Sequence, residues 1–128
     1  MPYVLLIDDE KPFLSGLAEW LRLYSNKIKI VSADNATKAL EVINTAEIAV
    51  VVTDLKMPGI NGFELLSQLQ RTRPHVPFIV MSCYARQSVE ERLAGIRIIH
   101  YLEKPLVLPE LAEAILSCLA RTCNGVYA

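Results

Sequence analysis

The stretch from Ala49 to Gly59 constrains this chain most. Ala49, Val50, Val51 and Val52 form an apolar run without alternation, Thr53 and Asp54 follow, and Pro58-Gly59 closes the segment with turn residues. A β-branched run of that kind suits a strand covered on both faces, as in the middle of a parallel sheet. In open α/β sheets the ligand crevice lies beyond the carboxyl ends of the strands, which puts Asp54 at the mouth of a crevice rather than in the core. An aspartate at that place also serves to start a turn and cap the next helix, and on this stretch alone the two readings balance.

The rest of the chain supplies the other strands and the crossovers between them. Val4 to Ile7 is a first strand candidate ending in Asp8-Asp9-Glu10-Lys11-Pro12, with the proline suited to the first turn of a helix. Phe13, Leu17, Trp20, Leu21 and Tyr24 then recur at helical spacing. Ile28 to Val31 reads as a second strand, Asp34-Asn35 as a cap, and Ala36, Ala39, Leu40 and Ile43 as a second helix. Beyond the Pro-Gly turn, Phe63, Leu65, Leu66 and Leu69 mark a third helix, and Phe78 to Met81 is a fourth strand closed by Ser82. Val89 and Leu93 suggest a fourth helix capped by Ser88 and stopped at Gly95, and a fifth strand is expected near Ile99 to Leu102. Glu103-Lys104-Pro105 ends that strand, and Leu111, Ala112, Ile115, Leu116 and Leu119 form a last amphipathic helix after Pro109. Five βα units require crossover connections, hence a doubly wound, five-stranded parallel sheet with helices on both faces.

Composition fits that frame. The 128 residues, 52% apolar and 21% charged, suit one globular domain with no apolar segment long enough to span a membrane. A net charge of −1 argues against a nucleic-acid surface. Cys83, Cys118 and Cys123 are odd in number and form no C-x-x-C pair, as expected of reduced thiols in the cytoplasm. The short apolar run near Met1 is cut off by acids, unlike a signal peptide. His75 and His100 have no metal-ligand spacing.

Placed on the frame, Asp8 and Asp9 follow strand one, Asp54 ends strand three, Ser82 ends strand four and Lys104 ends strand five, so all five lie at one edge of the sheet. Carboxylates brought together repel one another unless a cation sits among them, and an all-oxygen set suits a hard ion such as Mg²⁺. Lys104 and Ser82 then add a point charge and a hydroxyl donor for a tetrahedral anion. An aspartate so placed is a nucleophile toward phosphorus, giving an acyl phosphate.

This order of motifs resembles the receiver domain of two-component response regulators, from Val4 to about Leu119. The resemblance implies the flavodoxin-like (βα)5 fold, with Asp8 and Asp9 binding Mg²⁺ and Asp54 accepting a phosphoryl group from a sensor histidine kinase or phosphotransfer protein. It also implies that the backbone carbonyl of Lys56 contacts the metal and that Ser82 and Tyr101 are switch residues. Lys104-Pro105 matches the family's Lys-Pro, while Met57-Pro58-Gly59 and Gly62 match its loop after the acceptor. The expected partners are the kinase, a downstream effector or output domain, and a second copy in a phosphorylation-dependent homodimer, with no nucleic acid or membrane. Such a domain is not an enzyme beyond assisting its own phosphorylation and dephosphorylation.

Departures concentrate after strand four. Cys83 stands where the family usually has Ala or Gly, the bulky Tyr84 follows, and Gly95 comes early. Cys83 and Tyr84 are expected at the pocket rim, narrowing the approach of water, so that the phosphorylated form is long-lived. The receiver is expected over residues 1–121, with 122–128 as a tail or the start of a linker to an output domain. A haloacid-dehalogenase-like phosphatase would need a second aspartate where Lys56 stands, and a dinucleotide carrier would need glycines where Asp8-Asp9-Glu10 stands. The remaining alternative is a receiver-like adaptor that acts through protein contacts without phosphorylation.

Overall fold

The computed structural model describes residues 2–56 and 61–123. Five parallel strands, β1 (Tyr3–Ile7), β2 (Ile30–Ala33), β3 (Ile48–Asp54), β4 (Phe78–Ser82) and β5 (Ile98–Glu103), form one sheet in the order β2-β1-β3-β4-β5. Five helices alternate with them: α1 (Lys11–Tyr24), α2 (Ala36–Thr45), α3 (Gly62–Thr72), α4 (Arg86–Val89) and α5 (Leu108–Cys123). This is the flavodoxin-like doubly wound arrangement expected, and its strand order reverses between β1 and β3.

β3 lies inside the sheet and is buried at every position, as its unbroken apolar run requires. Alternate residues of the central strands feed two cores. Val4, Leu6, Val50, Val52, Ile79 and Met81 pack with α1 and α5, whereas Leu5, Ile7, Val51, Phe78 and Val80 pack with α2, α3 and the α4 segment. The helices start as the sequence suggests: Pro12 occupies the first turn of α1, and the Asn35 side chain accepts from the Lys38 amide at 2.8 Å to cap α2. Gly62 opens α3 so close to β3's exit that a Cβ there would collide with the Leu55 backbone.

Several boundaries differ from expectation. Strand two runs from Ile30 to Ala33 rather than from Ile28 to Val31, because the Ile28 amide donates to Ser25 O at 3.2 Å and is spent on the turn leaving α1. The fourth helix is one turn, Arg86–Val89, followed by a 3₁₀ turn at Glu91–Leu93. Ser88 is inside it rather than capping it, with its hydroxyl donating to Ala85 O at 2.7 Å. Gly95 does end the segment, with φ at +86°, a backbone region glycine enters without strain. The Gln70 side chain then fixes the connection to β5, donating to Gly95 O at 2.7 Å and accepting from the Arg97 amide at 2.6 Å. β5 is one residue longer at each end than expected, and α5 continues to Cys123, into the stretch expected as a tail. The Met57-Pro58-Gly59 match lies outside the described residues.

Candidate functional site

The carboxyl ends of β1 and β3 are neighbours at the point where strand order reverses, and Asp8 and Asp54 emerge there together. Asp54 is the last residue of β3 and is buried. Its Oδ1 accepts from the Lys56 amide at 3.0 Å and its Oδ2 from Lys104 Nζ at 2.7 Å. Lys104 arrives from the end of β5, where its own amide donates to Ser82 O at 2.7 Å, and the Lys104-Pro105 peptide is cis.

Asp8 is fully buried. Its Oδ1 accepts from the Glu10 amide at 3.0 Å, but its Oδ2 has no hydrogen-bond partner and lies 3.7 Å from Lys104 Nζ. Burial pushes the Asp8 carboxyl above its ordinary range; the Glu10 amide and Lys104 pull it back without prevailing, and the charges of Asp54 and Asp9 add to the rise. For Lys104 burial acts the other way, yet the hydrogen bond and charge of Asp54, with Asp8 behind it, outweigh burial and raise the ammonium pKa.

Ser82 is buried at the end of β4, and its Oγ accepts from the Tyr84 amide at 3.0 Å. The same side chain is also hydrogen-bonded to Tyr101. Tyr101 donates through its hydroxyl to Tyr84 O at 2.7 Å, so the two expected switch residues contact each other and the backbone of Tyr84. Burial is also the largest influence raising the Tyr101 phenol pKa. Cys83 and Tyr84 are exposed beside this unit, as is Lys56 beside Asp54.

Of the residues expected at the site, Asp8, Asp54 and Lys104 are in direct contact, and Ser82 joins them through the Lys104 amide. Asp9 is half-buried and acts on Asp8 through its charge. Among the described residues no three acidic, His or Cys side chains stand together as a ready-made metal cage. Mg²⁺ does not require one, since it is held by one or two carboxylates and keeps several waters. The orphaned, buried Oδ2 of Asp8 fits that role, because a divalent cation would satisfy it and reverse the burial penalty. Sequence reasoning missed Phe13, whose ring centroid lies 5.0 Å from Lys104 Nζ. Its helical spacing marks it only as a core residue.

An α/β fold with strand-end acids at the switch point and a lysine bridging them is the arrangement of a receiver domain. The response regulator receiver domain model matches residues 4–116, and the chain belongs to that family. It is 36% identical over 105 residues to the transcriptional regulatory protein YesN of Bacillus subtilis, covering 80% of this chain and 28% of YesN. A CheY-like receiver domain from Methanospirillum hungatei superposes with a TM-score of 0.86 at 22% identity, covering 98% of each chain. The response regulator TrrA from Thermotoga maritima, solved with Mg²⁺ and BeF, has a TM-score of 0.79 at 24% identity, covering 92% of this chain and 99% of that one. The two structural likenesses establish the fold. No helix among the described residues is long and apolar enough to cross a membrane.

Proposed function

We propose that Asp54 accepts a phosphoryl group from a phosphohistidine of a sensor histidine kinase or phosphotransfer protein. The observation that carries this reading is the buried Oδ2 of Asp8, without a hydrogen-bond partner, beside the Asp54–Lys104 pair. Such an atom is costly unless a cation answers it, and Mg²⁺, held by Asp8, Asp9, Asp54 and the Lys56 carbonyl, is the group the family binds. When bound, Mg²⁺ supplies charge neutralisation for the phosphoryl oxygens.

In the transfer an Asp54 carboxylate oxygen attacks phosphorus, the P–N bond to the imidazole breaks, and its electron pair leaves with the imidazole. Little else is needed, because positioning and charge supply most of the catalysis in phosphoryl transfer. Lys104 follows the new phosphoryl oxygens from its place on Asp54, and the Ser82 hydroxyl donates to them. Drawing Ser82 inward loosens its hold on the Tyr84 amide and changes the footing of the Tyr101 hydroxyl on Tyr84 O. This two-state element carries the phosphorylation signal to the face formed by the α4 segment, β5 and α5, where a second copy or an effector docks.

The receiver spans residues 1–121 in this reading. It acts in the cytoplasm, on protein partners rather than nucleic acid or membrane, and catalyses only its own phosphorylation and dephosphorylation. The relative YesN is a transcriptional regulatory protein of which this chain spans 28%, which supports an output domain as one effector. Exposure to phosphoramidate with Mg²⁺, followed by intact-mass measurement, tests the assignment. One phosphoryl mass is expected, lost in Asp54→Asn and with EDTA; a gain that survives either change contradicts the reading.

A further inference from the structure

Among the described residues, Lys104 Nζ lies 2.7 Å from Asp54 Oδ2, 3.7 Å from Asp8 Oδ2 and 5.0 Å from the centroid of the Phe13 ring. The first two are the groups that the proposed phosphoryl transfer and the metal engage. Once Asp54 carries a phosphoryl group it no longer offers a free carboxylate, and a cation on Asp8 competes with the ammonium for that oxygen. Phe13 is untouched by either event. Its ring carries no titratable group, is half-buried against the core that α1 and α5 share, and sits in the first turn of α1, directly after the loop that presents Asp8. The Lys104 side chain is only 19% exposed, so water competes weakly with the ring's negative face for the ammonium.

We propose that Phe13 is a positioning residue: its ring holds the Lys104 ammonium in the pocket while both carboxylate partners are being taken by the phosphoryl group and the metal. This inference rests on the phosphoryl-acceptor reading and deepens it. A ring–cation contact that is partly desolvated is worth enough to shift binding of a phosphoryl group about threefold to tenfold. A Leu at this position would fill much of the same space without the quadrupole that attracts the cation.

Beryllofluoride with Mg²⁺, measured by calorimetric titration, is the probe. Phe13→Leu should weaken beryllofluoride binding by about threefold to tenfold, and Phe13→Tyr should restore most of it. The effect should vanish in a Lys104→Ala background, where the ring has no cation to hold. Because Phe13→Leu also alters packing, the second series replaces Phe13 by phenylalanines bearing one, two and three fluorines, which drain the ring's negative face while keeping its shape. Affinity should fall stepwise with fluorination, whereas Mg²⁺ affinity in the absence of beryllofluoride should stay level. A flat fluorination series, with wild-type protein binding beryllofluoride normally, overturns the role of Phe13 and leaves the acceptor reading standing. Absence of any Mg²⁺-dependent beryllofluoride binding by the wild-type protein overturns both.

Discussion

The two halves of the sheet's carboxyl edge are built differently. Asp8, directly after β1, and Asp54, the last residue of β3, are buried and fixed by local backbone amides. From Cys83 to Arg97 the chain is a single helical turn, a 3₁₀ turn and loop, mostly exposed; Val89 and Leu93 anchor it in the core, and polar contacts tie the rest: Tyr101 to Tyr84, Gln70 to Gly95 and Arg97, and Arg92 over the Phe63 ring at 3.7 Å. The groups of the proposed reaction therefore stand on the stiff part of the fold, while the part proposed to change shape hangs on two buried side chains and polar contacts worth little individually. A switch requires that contrast, since a face packed as tightly as β3 could not be moved by one phosphoryl group.

The sharpest way to break the comparison is to disturb the stiff half. Gly62→Ala forces a Cβ into the Leu55 backbone, which must shift just beyond Asp54. We expect a loss on the order of 3 kcal/mol, about 10 °C in Tm, together with slower phosphorylation. An unchanged melting curve would show that the exit of β3 is not rigid. Tyr84→Ala acts on the looser half. If Tyr84 borders the in-line approach of water to phosphorus, dephosphorylation after donor removal should quicken about tenfold, roughly 1.4 kcal/mol of barrier. Cys83→Ala should act in the same direction, and an unchanged decay in the Tyr84 variant would show that access does not limit hydrolysis.

The smallest effect is expected at Gln70. Gln70→Ala removes both hydrogen bonds that hold the chain between Gly95 and Arg97. Global stability should fall by only about 1 kcal/mol, whereas amide exchange should quicken selectively from Glu90 to Ile98. Uniform acceleration across β1 and β3 as well would mean that the two halves unfold as one unit.

The same contrast explains what could be read from the residues. β3 and its terminal Asp54 were legible because an unbroken apolar run has one common use in an α/β chain, and strand order then determines where strand ends meet. The contact between Lys104 and both acids followed from that placement. The fourth helix was not legible, since Val89 and Leu93 give a helical spacing that the chain satisfies with two short turns. The Gln70 clasp that permits this joins residues 25 and 27 positions apart, which no local pattern records. Ile28 misled for a related reason: it is buried like a strand residue, but its amide belongs to a turn. Phe13 carried a helix-face signal that is the same whether a ring faces a leucine or an ammonium.

Melting wild-type and Asp8→Asn proteins across a Mg²⁺ titration tests most directly the proposal that the buried Asp8 carboxylate binds a divalent cation. Burial raises the Asp8 pKa above its unfolded value, so the penalty is present in full above the raised pKa and is relieved as pH falls through it. Without metal at pH 7, Asp8→Asn should therefore melt higher, by about 3 °C, and the gap should close as pH falls toward the ordinary carboxylate range. Lys104 keeps its hydrogen bond to Asp54 in the variant, so that pairing does not cancel the gain. With Mg²⁺ the order should reverse, because the wild-type protein gains stability by binding and the variant gains little. Parallel rises in both proteins, or no response in either, would contradict the account.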